Sequence, residues 1–137
     1  MTGTPEAGAT RGLRLAALWS VWWVTLVPAH AAWQLQLATP AADHYADDAS
    51  LQALSGMRRV WELQDLRATD ARGVRSWRSF VEYDCRGARQ RVLERRGFAG
   101  AKAGGAVLSV AAVPGDWAEV PPGSAAEAVM RWACQRH

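Results

Sequence analysis

The sequence predicts an α+β, β-rich fold: a single antiparallel sheet of about five to six strands, with one C-terminal helix packed on one face and tied to it by a disulfide. Three observations carry this. Segments that alternate apolar and polar residues recur between turn residues from Trp33 to Val113. The period becomes helical only after Pro121-Pro122-Gly123. One cysteine, Cys85, stands in the strand-like part and the other, Cys134, in the helical part.

The N-terminus sets the compartment. Arg11 and Arg14 precede the run Leu15–Val27, followed by Pro28 and the small-residue triplet Ala29-His30-Ala31. A basic region, a short apolar run and an A-x-A site are the order of a secretory signal peptide. The chain therefore divides into a signal, 1–31, and one mature domain, 32–137, with cleavage expected after Ala31. The thirteen residues of the run fall short of the ~20 needed to cross a hydrocarbon core, so no stable membrane span is expected once the signal is removed. An exported chain meets an oxidising environment, where an isolated cysteine pair is read first as a disulfide. A metal or redox pair is not supported, because Cys85 and Cys134 lie 49 positions apart with no C-x-x-C.

Along the mature chain, Trp33-Gln34-Leu35-Gln36-Leu37 has strict period two and reads as the first strand. Residues 38–55 are poor in β-branched side chains and hold Pro40, Asp43, Asp47 and Asp48, which predicts a loop with a short strand near His44-Tyr45-Ala46. Met57–Leu66 reads as a strand with Trp61 and Leu63 on its core face and Arg58, Val60, Glu62 and Gln64 on the other. After a loop through Asp70 and Gly73, Ser76–Cys85 places Trp77, Val81, Tyr83 and Cys85 on one face and Arg78, Glu82 and Asp84 on the other. Arg86-Gly87 is a two-residue turn candidate, after which Ala88–Arg96 returns antiparallel. Four glycines between Gly97 and Gly105 predict a turn, and Ala106–Val113 a last strand.

Ser124-Ala125-Ala126-Glu127 is a capping box that starts a helix running to about Cys134. Its polar stripe is Glu127, Arg131 and Gln135, so the remaining surface needs an apolar layer to lie on. With Cys134 and Cys85 both on apolar sides, their bridge pins the helix across the sheet.

Composition limits the function classes. Without residues 1–31 the chain keeps 14 basic and 12 acidic side chains, too even a balance for a nucleic-acid-binding field. No catalytic, metal or cofactor set assembles from the residues. Glu82 and Asp84 share a strand face at a glycosidase-like spacing, which alternating solvated charges explain equally well. Asp43, Asp47 and Asp48 lack the spacing of a calcium loop. His44 is the one mature histidine before the terminal His137, and Ser76 and Ser79 offer hydroxyls without an evident base. The surface feature that points to a partner is basic: Arg89, Arg91 and Arg95 are expected on one strand face, with Arg86 and Arg96 nearby. Such arginines grip phosphate, sulfate or carboxylate groups, or else protect an edge strand from aggregation. The mature tryptophans Trp33, Trp61, Trp77, Trp117 and Trp132 are expected mostly in the core.

Read in order, Trp33, Val60-Trp61 with Asp65, Trp77-Arg78-Ser79, Glu82-Tyr83-Asp84-Cys85, Arg91, and Gly115-Asp116-Trp117 through Val120-Pro121-Pro122-Gly123-Ser124 to Cys134 resemble the surface-adhesin protein E family. The resemblance spans nearly all of the mature chain. It implies an antiparallel sheet with a disulfide-tethered C-terminal helix, a bond carried here by Cys85 and Cys134. It also implies binding of an extracellular-matrix, serum or envelope macromolecule, and it allows a homodimer. The chain departs from the name-giving lipoprotein in having no cysteine at the expected cleavage site, so a periplasmic, secreted or surface location without a lipid anchor is expected. A structural or assembly role in the envelope is the alternative.

Overall fold

The computed structural model describes residues 2–5, 8, 21–26, 30–112 and 114–136. Most of the expected signal run Leu15–Val27, together with Ala29, lies outside them. The elements in chain order are β1 (Trp33–Ala38), β2 (Ala42–Asp47), β3 (Gln52–Leu54), β4 (Met57–Leu66), β5 (Ser76–Asp84), β6 (Arg89–Phe98), β7 (Val107–Ala111), β8 (Ala118–Glu119) and α1 (Ala125–Cys134). They form one antiparallel sheet in the order β1-β2-β4-β5-β6-β7, with β3 pairing onto β4 and β8 onto β6.

The sheet thus has eight strands, more than the five to six expected. The additional ones are β3 and β8, pieces of three and two residues whose side chains are all exposed. They carry no burial alternation because they add backbone hydrogen bonds to the flanks of longer strands. The turn after β5 also differs from expectation. Asp84 pairs with Arg89, so the loop has four residues, 85–88. The Asp84 carboxylate caps it by accepting from the N–H groups of Arg86 at 3.1 Å and Gly87 at 3.0 Å.

Register assigns every side chain to a face. Val60 of β4 lies opposite Val81 of β5, which lies opposite Val92 of β6. This row, with Ala46 and Tyr83, forms the layer on which Val129 of α1 packs, and Val120 joins the cluster. Helix α1 therefore packs on the Val60 face of β4, opposite to the expected Trp61 and Leu63 face; on that other side Leu63 is buried all the same, while Trp61 stays partly exposed. The larger apolar residues had decided that reading, yet the smaller Val60 fits the close approach of the helix. Burying Val129 alone contributes about 1.5–3 kcal/mol. Of the five tryptophans expected in the core, Trp77 is buried, while Trp33, Trp61, Trp117 and Trp132 remain partly exposed. Trp77 lies flat across β6 at Gly97, where an added Cβ would stand 2.9 Å from the ring, so the sheet needs a glycine there.

Helix α1 begins as its residues dictate. The Ser124 hydroxyl accepts from Glu127 N–H at 3.2 Å, and the Glu127 carboxylate reaches back to Gly123 N–H at 2.8 Å. Glu127 and Arg131 form the i,i+4 pair at 2.6 Å. The Cys85–Cys134 disulfide joins the end of β5 to the end of α1 across a Cα–Cα distance of 5.9 Å. Arg136, just beyond, bonds Asp48 at 2.5 Å, so a second contact holds the same end.

Candidate functional site

The sheet face turned away from α1 has the chemistry of a binding surface. Across its middle runs the row Arg59, Glu82, Arg91, one residue from each of β4, β5 and β6. Glu82 is 3% exposed and held from both sides, by Arg59 at 2.6 Å and Arg91 at 2.7 Å. Burial pushes its carboxyl pKa up, but hydrogen bonds from the two guanidiniums outweigh this and leave it below the ordinary value. One strand step toward the turn, Arg89 bonds Asp84 at 2.9 Å. On the other side, Phe80 lies between Trp61 and Glu94. Trp61 and Phe80 stack at 5.0 Å between centroids, and the Arg78 guanidinium covers Trp61 at 4.2 Å. All three side chains are partly exposed.

These positions revise the expected arginine face. A bulge in β6 between its partners Val81 and Phe80 adds Leu93 to the strand. Arg89 and Arg91 therefore stay on the uncovered face, while Arg95 moves opposite Ser79 on the other side. There its guanidinium lies over Trp77 at 4.1 Å, with Arg72 over the same ring at 5.1 Å. Arg96 returns to the uncovered face and bonds Glu94 at 2.6 Å. Arg86, in the turn, is exposed and has no ion pair among the described residues. Of the five candidate arginines, the structure brings Arg89, Arg91 and Arg96 to one face, each already paired with an acid of its own sheet. The Val92-Leu93 doublet, which breaks period two, is the signal that would have shown the bulge. The residues passed over were Arg59 and Phe80, the latter an aromatic among charges on what reads as a polar face.

The helix side holds a cavity of about 150 Å³ lined by His44, Glu62, Gln64, Ser79, Arg95 and Val129, among others. Tyr83 donates its hydroxyl hydrogen to Glu62. Burial pushes the Glu62 carboxyl up to about 7, partly offset by that bond. Burial also lowers the His44 imidazole below its usual value, against the pull of Asp43. The other polar residues weighed from the sequence have structural partners. Ser76 Oγ donates to Gly100 O at 2.7 Å and accepts from Ala103 N–H at 2.8 Å. Asp43 bonds Arg67 at 2.7 Å and Asp48 bonds Arg136. Glu82 and Asp84 share a face as expected, but Glu82 is a buried ion-pair centre rather than a solvated charge.

A model of the family described as surface-adhesin protein E matches residues 33–135. The chain belongs to the surface-adhesin protein E family. Solved structures of Haemophilus influenzae protein E have the same fold. A selenomethionine form matches with a TM-score of 0.56 at 10% identity, covering 74% of this chain and 95% of that one. A second crystal form gives 0.52 at 12% identity, covering 72% and 91%. Protein E from a non-typeable strain gives 0.50 at 14% identity, covering 80% and 78%. No curated protein matches the sequence. At these identities the protein E structures share the backbone of this adhesin-family chain, and they do not carry over side-chain chemistry. Among the described residues, no helix of this family member is long and apolar enough to cross a membrane.

Proposed function

We propose that the protein is an exported, non-enzymatic member of the adhesin family that binds a macromolecular partner through the sheet face α1 leaves open. The observation that carries this reading is the partly exposed stack of Arg78, Trp61 and Phe80 at the centre of that face. Aromatic rings and arginine are the side chains that dominate binding energy at protein interfaces. The neighbouring arginines favour a protein partner, of the extracellular-matrix or serum class, over an anionic glycan. Arg89, Arg91 and Arg96 already spend their charge on Asp84, Glu82 and Glu94, so they contribute hydrogen-bonding edges more than net potential. Arg95 is also without an ion pair among the described residues but lies on the helix side over Trp77, so on this face Arg86 is the candidate with an unpaired charge. The protein acts in the periplasm or outside the cell without a lipid anchor, its signal having been removed after Ala31.

The test is solid-phase binding of the mature protein to matrix and serum proteins, heparin and lipopolysaccharide. Trp61→Ala and Arg78→Ala are expected to weaken the tightest interaction by about tenfold or more each. Binding to heparin alone that is lost in an Arg86/Arg89/Arg91→Ala variant, and unaffected by Trp61→Ala, replaces the protein partner with a glycan.

A second reading, an assembly component of the envelope, draws support from β7. This edge strand carries no charge, and Val107, Leu108 and Val110 are about half exposed. An uncharged apolar edge is a template for pairing with another strand, here the β7 of a second copy.

A further inference from the structure

Five of the eight carboxylates in the strands, Asp43, Asp65, Glu82, Asp84 and Glu94, have a guanidinium partner; Glu62 has the Tyr83 hydroxyl instead, and Asp47 is buried without either. It closes β2, is 6% exposed, and has no lysine, arginine or histidine within ion-pairing distance among the described residues. Its Oδ1 accepts two backbone N–H groups instead, from Ala32 at 2.8 Å and Ala49 at 3.1 Å. A carboxylate withdrawn from water without a cation is costly unless something supplies the missing charge. Ala32 is fixed from its other side as well, because its carbonyl accepts from Asp48 N–H at 3.2 Å. Its nitrogen is therefore held on Asp47 by two contacts, one residue before β1 begins. Ala31 and Ala32 are themselves exposed. The nitrogen on Asp47 is also the one that the A-x-A grammar of residues 29–31 makes the first of the mature chain.

We infer that the Ala31–Ala32 bond is a processing site, and that the α-ammonium group released there is the cation that pairs with Asp47. The inference rests on the signal-cleavage reading used in the proposed function. Hydrolysis breaks the Ala31 C–N bond. The water's hydroxyl goes to the Ala31 carbonyl carbon and its hydrogen to the Ala32 nitrogen, which takes a further proton from solvent at neutral pH. No atom of the folded domain has to move: a neutral N–H···O contact becomes a charge-assisted one in place. Cleavage then does more than release the chain, because it completes an ion pair at the sheet edge beside the Asp48–Arg136 contact that anchors the end of α1.

Two measurements test the cut and the pair separately. Mass spectrometry and N-terminal sequencing of the protein exported from the full chain are expected to show a chain starting at Ala32; a start at any other residue overturns the processing site. Denaturant unfolding then compares parent and Asp47→Asn in two backgrounds, one starting at Ala32 and one retaining residues 30–31 to move the terminal charge away. Asp47→Asn is expected to lower the folding equilibrium constant about tenfold more in the Ala32 form than in the extended form. Should Asp47→Asn fail to fold, the parent with an acetylated Ala32 is compared with the free amine, and a loss of about tenfold is expected. Equal effects in both backgrounds, or no effect of acetylation, overturn the pair even where the cut is confirmed.

Discussion

Tyr83 donates a hydrogen bond to Glu62 beneath α1, so a phenol and a carboxylate share an enclosed site on the core face of the sheet. Burial raises both groups above their ordinary values, Glu62 to about 7. Folding therefore favours the protonated acid. Because the folded pKa exceeds the ordinary value of 4.5, the folded state binds more protons between those limits, and stability falls as pH rises from about 4.5 to about 7. The loss reaches at most about 3 kcal/mol. Glu62→Gln, a neutral isostere that keeps an acceptor for Tyr83, is expected to flatten this dependence, raising stability at pH 8 and changing little at pH 5. Urea unfolding of both proteins across that range is the check.

Glu82 acts in the opposite sense. Its folded value lies below the ordinary one, so it stabilises the fold above about pH 4.5 and loses that contribution as the pH falls further. Glu82→Ala leaves Arg59 and Arg91 facing each other without an acid between them. A cost of about 2 kcal/mol is expected, moderated because both guanidiniums are about one-third exposed. Thermal unfolding at pH 7 measures it.

The disulfide closes a segment of 49 positions, for which chain entropy gives up to about 4 kcal/mol. A Cys85→Ala/Cys134→Ala variant, or the reduced parent, is expected to lose much of this and to loosen α1 first. Hydrogen exchange in Ala125–Cys134 is expected to accelerate before exchange in β4 and β5 does.

Self-association through β7 is expected to be concentration-dependent and abolished by Leu108→Lys/Val110→Lys, since like charges on paired edge strands repel. Light scattering over a dilution series follows it. A parent that stays monomeric at the highest concentration removes the dimer.

Much of this fold was legible because its long strands bury one face. β4 and α1 begin and end within a residue of the expected positions, and the Cys85–Cys134 bridge joins the two elements expected to share it. What could not be read depends on partners distant in sequence. The burial of Val60 over Trp61 is decided by Val129, which lies 69 positions further on. The facing of Arg95 is decided by a bulge set against Phe80 and Val81, and β3 and β8 exist only because β4 and β6 offer them hydrogen bonds. Of the candidate site, the arginines were visible as a charge cluster. Their acids Glu82, Asp84 and Glu94 were visible too, but only register shows that the two sets neutralise each other.

Side-chain oxidation footprinting, read by mass spectrometry with and without the tightest-binding matrix or serum protein, tests the uncovered face most directly. Binding at that face predicts protection of Met57, Trp61 and Phe80, with Met130 and Trp132 on α1 oxidised as fast as in the free protein. Protection confined to Met130 and Trp132, or to Leu108 and Val110 of β7, would contradict it.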